Sequence, residues 1–423
     1  HDLVKMADSC SAGAEGDGFE EIDQDLTDSR VFVLLELHEF ICRILRSLPM
    51  KTLNTCAQVC RKWNQLSKKE KLQREKPMWL FYDHSNGNPS KSLEEPILKS
   101  RIEPQTAIAF LSLRLHENKL RVPAQSVAVT SRHPRAAKHE KKDFMDYLGR
   151  LLPKSCRTLG VITDGIVGMD GNVPREMEST HAASVLVLPK FHDFHIVPFE
   201  LVGSQAEDIL YSPFESKKEI LELLKVPEGL TPRVVFTFGS DSMFDYHALL
   251  EKQILYHFEG KAVVAGGFAD NLVPEEVRGE GMEETLMTGL TFCSSRMQMA
   301  AAILDHDVQT LETAQAEISK LKATNICTES AFAFMFSCLG RGVHHYHAEA
   351  IETKAFRKVF PNIPIFGFFG NGEVGHKYLP DYSKSDHEDY SVIDFSDDDS
   401  EDRYPALRHS YTTVIVVISL GNS

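Results

Sequence analysis

The residues best suited to chemistry lie in a glycine-rich turn after an apolar strand in the last third of the chain. This turn contains Cys338, Gly340, Arg341 and Gly342. Open α/β sheets commonly place binding crevices at the ends of their strands. Glycine lets a ligand or another backbone approach closely. A guanidinium beside the thiol would favour its thiolate and hold an anionic group.

A second glycine-rich turn follows the next apolar strand and contains Gly370, Asn371, Gly372 and Glu373. We expect the two turns to form one pocket for a substrate segment or a small ligand. Gly370, Gly372 and Gly375 match the dinucleotide fingerprint, but that fingerprint needs a helix to begin at the third glycine. The sequence after Gly375 reads HKYLPD, which does not favour a helix. A dinucleotide site is therefore rejected, and no cofactor is expected.

Catalysis by Cys338 would need a base within hydrogen-bond reach. His344, His345 and His347 are near in sequence, but no third orienting group can be assigned. Their spacing fits no standard zinc pattern, so no metal is expected. A thiol enzyme remains an alternative, and the favoured interpretation is a non-catalytic protein.

Short apolar runs, among them 331–337 and 411–420, alternate with helical stretches such as 346–360 after residue 104, which is typical of α/β layers. The fold class expected is a small helical unit followed by two α/β sheet domains. The expected divisions are an acidic tail at 1–29, helices at 30–80, a linker at 81–104, and sheet domains at 105–230 and 231–423. An acidic loop at 381–402 lies within the last domain.

The net charge of −15 is concentrated in two segments. Residues 1–28 carry −8 and residues 381–402 carry −9, so the remainder is close to neutral. Such segments bury little and are expected to be disordered. This balance gives no support to nucleic-acid binding, and no apolar run is long enough to span a membrane. Eight scattered cysteines indicate reduced thiols, hence the cytoplasm or nucleus.

Two short helices joined by Ser-Leu-Pro are expected between residues 33 and 66, because apolar residues recur there at spacings of three and four. Pro49 should end the first helix. A unit this small cannot bury all its apolar surface, so we expect it to dock on another protein. The candidate packing and docking residues are Leu37, Ile41, Ile44, Leu45, Leu48, Pro49, Leu53, Val59 and Trp63.

The Leu48-Pro49 pair, Leu53 and the run Val59-Cys60-Arg61-Lys62-Trp63 resemble an F-box. The two glycine-rich turns, with Tyr411-Thr412-Thr413, resemble a FIST module, in N- and C-terminal parts. These resemblances imply a three-helix F-box unit and a substrate receptor that docks on the Skp adaptor of a cullin–RING ubiquitin ligase. The FIST-like part would hold the protein to be ubiquitylated and degraded.

Three further questions stay open at the level of sequence. A ligand sensor with an incidental F-box is the alternative function, since FIST modules are thought to bind small ligands. Ser396 precedes three aspartates and is a phosphorylation candidate, although a solvated spacer is the simpler interpretation. A homodimer is neither indicated nor excluded.

Overall fold

The computed structural model describes residues 38–86, 88–123, 139–205, 214–240, 244–273, 285–393 and 404–421. The chain divides into two compact units. The first contains the described residues up to Glu75 together with Leu98–Glu103, and the second contains Lys76–Ile97 and the chain from Pro104 onward. Leu37, Ser396, the whole acidic segment 1–28 and residues 394–402 of the acidic loop lie outside the described residues. The expectation of disorder is wrong for residues 381–393, where Ile393 is buried and the Tyr382 hydroxyl forms hydrogen bonds with the Met299 backbone.

The first unit contains three helices around a small apolar core. Helix α1 spans residues 38–47, α2 spans Met50–Cys56 and α3 spans Arg61–Leu72. Pro49 has an extended backbone and immediately precedes α2, so the same proline separates α1 from α2. The core is formed by buried Leu45, Met50, Leu53 and Leu66. The predicted three-helix unit is confirmed.

The second unit is built mainly from β-strands. Its strands are β1 Met78–Asp83, β2 Pro104–Ser112, β3 Leu120–Pro123, β4 His139–Lys142, β5 Arg157–Thr163, β6 Gly165–Asp170, β7 Val173–Glu178, β8 Ala182–Pro189, β9 His195–Val202, β10 Pro232–Gly239, β11 Val263–Phe268, β12 Asn271–Val273, β13 Thr285–Cys293, β14 Gln298–Leu304, β15 Ala331–Cys338, β16 Ile365–Gly370, β17 Glu373–Val374, β18 Arg408–His409 and β19 Thr413–Ser419. Its helices are α4 Glu95–Leu98, α5 Leu113–Asn118, α6 Phe144–Leu151, α7 Lys217–Leu223, α8 Phe244–His257, α9 Leu311–Ala323, α10 Gly342–Tyr346 and α11 Ile351–Val359. Among the described residues, no helix is long and apolar enough to cross a bilayer.

The strands form three larger mixed sheets and one small hairpin. The strand orders are β1-β8-β2-β5-β12, β18-β17-β11-β10-β13-β9 and β14-β19-β15-β16-β6-β7, with β3-β4 separate. Each larger sheet contains one parallel pair with helices between its strands in sequence: β2–β5, β10–β11 and β15–β16. The other pairs are antiparallel. The predicted α/β class is thus confirmed as mixed sheets with helical connections.

Phenylalanines from all three sheets meet in one core. Phe110 on β2 lies 5.9 Å, ring centre to ring centre, from Phe368 on β16. Phe236 on β10 lies 4.7 Å from Phe334 on β15. The first pair is tilted and the second is edge-to-face, and aromatic contacts at these separations add to the energy of burial. This shared core explains why the sheets form one unit.

The expected boundary at residue 231 falls inside this unit. Strand β9 from the earlier half pairs with β13, and β6 pairs with β16. Conversely, β12 from the later half pairs with β5. Strands on both sides of residue 231 therefore share every larger sheet.

The expected linker at 81–104 also differs from the structure. It begins within β1, whose register places Phe81 opposite Ser184. A helical stretch follows over Ser90–Glu94 and Glu95–Leu98, with Leu93 fully buried. The Pro, Gly and Asn residues of this stretch are typical of a linker. The strand and the short buried helix could therefore not be recognised from its composition.

Candidate functional site

Three large apolar side chains of the first unit are exposed, namely Phe40, Ile44 and Val59. These side chains are 61%, 39% and 52% exposed. Phe40 and Ile44 are four residues apart on α1 and therefore share a helix face. Val59 lies in the turn that joins α2 to α3. We call these three residues the apolar face.

The predicted docking residues that the structure describes divide into three groups by burial. Leu45 and Leu53 are fully buried in the unit's own core, so they act by packing. Ile41, Leu48 and Trp63 are half-buried around that core, and Pro49 shapes the turn between helices. Ile44 and Val59 are exposed. Sequence reasoning missed Phe40, although its four-residue spacing from Ile44 was the available signal.

Arg74 holds the ends of these helices together. All five of its guanidinium N–H groups have partners: its Nε donates to Glu70 at 3.1 Å, and its Nη atoms donate to four carbonyl oxygens. Three of those carbonyls belong to residues 45, 46 and 48 at the end of α1, and the fourth belongs to Arg101. The last carbonyls of a helix have no partner within it. Arg74 supplies that partner and ties the segment 98–103 to the same unit.

In the second unit, the two glycine-rich turns meet as expected. Cys338 at the end of β15 is the register partner of Gly370 at the end of β16. The Leu339 N–H donates to the Gly370 carbonyl at 2.9 Å, and the Cys338 N–H donates to the Thr412 carbonyl at 3.1 Å. The turns and the start of β19 therefore form one edge of the sheet. Cys338, Gly340 and Asn371 are at least partly accessible there, and Tyr411 is 63% exposed.

Gly342 is required by both conformation and space. Its φ of +66° lies in the left-handed region, and a Cβ there would come within 2.3 Å of a Glu178 carboxylate oxygen. That carboxylate accepts the Val343 N–H at 3.0 Å. Glycine at position 342 therefore leaves room for this hydrogen bond at the start of α10. Gly370, Gly372 and Glu373 are also buried.

The expectation that Arg341 holds an anionic ligand is wrong. Arg341 is fully buried, and its Nε donates to Glu352 at 2.7 Å. Its Nη atoms donate to the carbonyls of Asp305, Val308 and Tyr411 and to the Tyr346 hydroxyl. All five N–H groups are therefore engaged within the protein. No donor is left for a ligand or for the Cys338 thiol, and Arg341 instead joins four chain segments.

The carboxyl of Glu373 lies in the same region and is 1% exposed. Its Oε1 accepts hydrogen bonds from the backbone N–H and the hydroxyl of Thr412. Its Oε2 has no hydrogen-bond partner among the described residues. Burial raises the pKa of Glu373 to about 7, although both hydrogen bonds from Thr412 oppose the shift. This carboxyl therefore titrates near neutral pH.

Glu373 should make the second unit less stable at alkaline pH. Its pKa is about 7 in the folded protein, against an ordinary value of 4.5. Between these values the folded state binds more protons, so stability falls as the pH rises through this range, with the full cost above pH 7. We expect Glu373→Gln to raise the thermal unfolding midpoint at about pH 8 and to change it little at about pH 5.

The exposed Glu349 provides the control for this measurement, because Glu349→Gln should leave the midpoint unchanged at both pH values. Glu176, whose pKa burial also raises to about 7, contributes the same background slope to every variant. A Glu373→Gln midpoint that falls at alkaline pH would contradict this account.

The structure also bears on the expectations for the dinucleotide fingerprint, the histidines and a metal site. No helix begins at Gly375; Glu373–Val374 is a strand that pairs with β11 and β18. His345 contacts the Val308 carbonyl through Nε2 at 2.8 Å. Within the described ranges, no group of three or more His, Cys, Asp or Glu residues is arranged to hold a metal ion.

Comparisons with known proteins agree with this division into a helical unit and a sheet unit. A family model described as F-box-like matches residues 38–75, and the FIST C domain matches residues 285–376. F-box only protein 22 from Homo sapiens is 31% identical over 414 residues, which cover 93% of this chain and 95% of that protein. The chain belongs to the F-box only protein 22 family.

F-box only protein 22 from Pongo abelii gives the same identity and the same coverage. A crystal structure of a cyanuric acid hydrolase from A. caulinodans covers 82% of this chain and 100% of its own, at 9% identity and a TM-score of 0.34. That similarity is too low to support an inference. Membership in the F-box only protein 22 family confirms the F-box resemblance and its place at the start of the described chain.

Proposed function

We propose that this chain is the substrate-recognition subunit of an SCF-type ubiquitin ligase. In this proposal the F-box unit docks on the Skp adaptor, which joins it to the cullin scaffold and the RING subunit. The sheet unit binds protein substrates and presents them for ubiquitylation and proteasomal degradation. The observation that carries the proposal is the apolar face of Phe40, Ile44 and Val59, exposed on a unit matched as F-box-like.

The energetics of this face suit a stable protein contact. Each large apolar side chain contributes about 1.5–3 kcal/mol when it is fully buried. A few such anchors at the centre of an interface usually dominate its affinity. The unit's own core is complete without them, because Leu45 and Leu53 are already fully buried. The apolar face is therefore available for a partner.

The chain itself would perform no ubiquitin chemistry. Its contribution would be to hold a substrate lysine near the charged ubiquitin-conjugating enzyme, which raises the effective concentration of the two reactants. Substrate contacts are proposed for the accessible residues of the sheet edge, Cys338, Gly340 and Asn371. We place the complex in the cytoplasm and nucleus, in keeping with the reduced thiols expected from the sequence.

The double variant Phe40→Asp/Ile44→Asp should lose adaptor binding. Two carboxylates would have to be desolvated at the interface while two apolar anchors are lost, so we expect at least about a hundredfold weaker affinity. Both side chains are exposed, and the fold of the unit should survive. The measurement is a titration of purified Skp adaptor with the full chain, with circular dichroism as the check on folding.

Val173→Asp is the matched control, because Val173 is 53% exposed in the second unit. It should bind the adaptor like the unchanged chain. Proteins held by the sheet unit should still co-purify with the double variant but should no longer be ubiquitylated in a reconstituted ligase. Unaltered adaptor affinity in the double variant would refute the proposal and would favour the ligand-sensor alternative.

A further inference from the structure

Helix α3 carries a cationic face on the side opposite its apolar contacts. Arg61, Lys62, Lys68 and Lys69 are all exposed, and at 100° per residue they fall within one sector of the helix together with Gln65. Leu66, Glu70 and Arg74 are buried on the other side. We call these four residues the cationic face.

No carboxylate neutralises this face in the described part of the chain. None of its four side chains makes an ion pair or side-chain hydrogen bond there. Residues 38–75 contain nine lysines and arginines but three glutamates, for a net charge of +6 in a chain whose total is −15. The F-box unit is therefore strongly cationic within an acidic protein, and its charges repel one another unless an anion lies nearby.

The chain supplies an anion of suitable charge next to this unit. Residues 1–28 contain nine carboxylates and one lysine. They are connected to α1 by residues 29–37, and nine residues can span about 30 Å when extended. Helix α3 has 12 residues and is therefore about 18 Å long. A cleft lined by Cys42 of α1 and Lys69 of α3 shows that the two helices lie side by side.

We infer that the acidic segment 1–28 binds the cationic face of α3. The attraction is between opposite charges of a segment and a surface in one molecule, so the tether raises their local concentration without any further contact. Segment 381–402 has a similar charge but belongs to the other unit. Contacts between exposed charges are screened by salt, so the association should weaken at high ionic strength.

Carbodiimide cross-linking tests this association, because it joins a carboxylate to an amine only where the two are in contact. The full chain would be cross-linked at low salt as a mixture of heavy- and light-isotope protein, and the linked peptides identified by mass spectrometry. We expect links from Lys62, Lys68 and Lys69 to carboxylates of residues 1–28 within one molecule. Their yield should fall at least about threefold at about 0.5 M NaCl.

A charge-reversal variant tests the face without removing a reactive amine. Arg61→Glu should lower the same links at least about threefold, whereas Arg114→Glu, at an exposed position in the second unit, should leave them unchanged. Any of three results would overturn the inference. The links could run to residues 381–402 instead, they could form only between molecules, or their yield could be unchanged by both salt and Arg61→Glu. None of these outcomes depends on adaptor binding.

Discussion

Replacing Arg341 with leucine should destabilise the second unit by at least about 3–5 kcal/mol, the range for breaking a buried ion pair. The substitution leaves the buried Glu352 carboxylate without its cation. It also removes the donor from the carbonyls of Asp305, Val308 and Tyr411. For a unit of this size, with an unfolding entropy of about 2.1 cal/mol/K per residue, the thermal unfolding midpoint should fall by about 4–7 °C.

Two further variants separate the possible causes of this loss. Arg341→Lys should restore little of the lost stability, because an ammonium has three donors where the guanidinium uses five. The double variant Arg341→Leu/Glu352→Leu should recover only part of the lost stability, since the three carbonyls still lack a donor. Arg114→Leu, at an exposed position, provides the baseline. A midpoint for Arg341→Leu within about 1 °C of this baseline would mean that the network contributes no net stability.

Replacing Arg74 with methionine should unfold the F-box unit. A domain this small gains only about 3–5 kcal/mol from its core, and the loss of Arg74 removes donors from three carbonyls at the end of α1 and one in the 98–103 segment. It also leaves the buried Glu70 without its nearest cation. We expect backbone amides of α1 and α2 to lose their protection from hydrogen exchange, and adaptor binding to disappear with them.

Arg43→Met is the matched control for this variant. Arg43 also forms an ion pair with a glutamate four residues away, but its side chain is 73% exposed. Exposed pairs of this kind contribute less than about 1 kcal/mol, so exchange and adaptor binding should change little. Protection in Arg74→Met equal to that in Arg43→Met would show that the buried guanidinium is dispensable.

The strongest strands could be predicted from sequence because they are apolar throughout. Strand β19 lies within the predicted run 411–420, and all its residues are buried. Strand β15 was predicted within one residue of its observed end. Runs of this kind show their burial in composition alone. The three-helix unit could also be predicted from sequence, because apolar residues recur there at helical spacing.

Other elements depend on partners distant in sequence and could not be predicted locally. The β6–β7 hairpin carries Pro174, Arg175 and several acids, and its place in the sheet comes from pairing with β16 some 200 positions later. The expected helix over 346–360 is interrupted by His347 and Ala350 in left-handed conformations, where no glycine marks the break.

Arg74 and Arg341 show why the candidate sites were only partly predicted. Arginine is almost never fully buried unless it is paired, so nothing in the local sequence indicated that either side chain lies in a core. The five acceptors around Arg341 come from residues 305 to 411. Sequence alone cannot show that these positions converge. Because these acceptors converge on it, Arg341 stabilises the sheet edge.

The path of the backbone has a practical consequence for dissecting this protein. The chain leaves the helical unit after Glu75, contributes 76–97 to the sheet unit, returns for 98–103 and leaves again. No single cleavage point separates the two parts. A fragment ending at residue 75 or 80 would lack the Ser100 carbonyl that accepts from Met50 and the Arg101 carbonyl that accepts from Arg74. A fragment must therefore extend at least to residue 103 to keep these two hydrogen bonds and the Lys71–Glu103 ion pair of the helical unit.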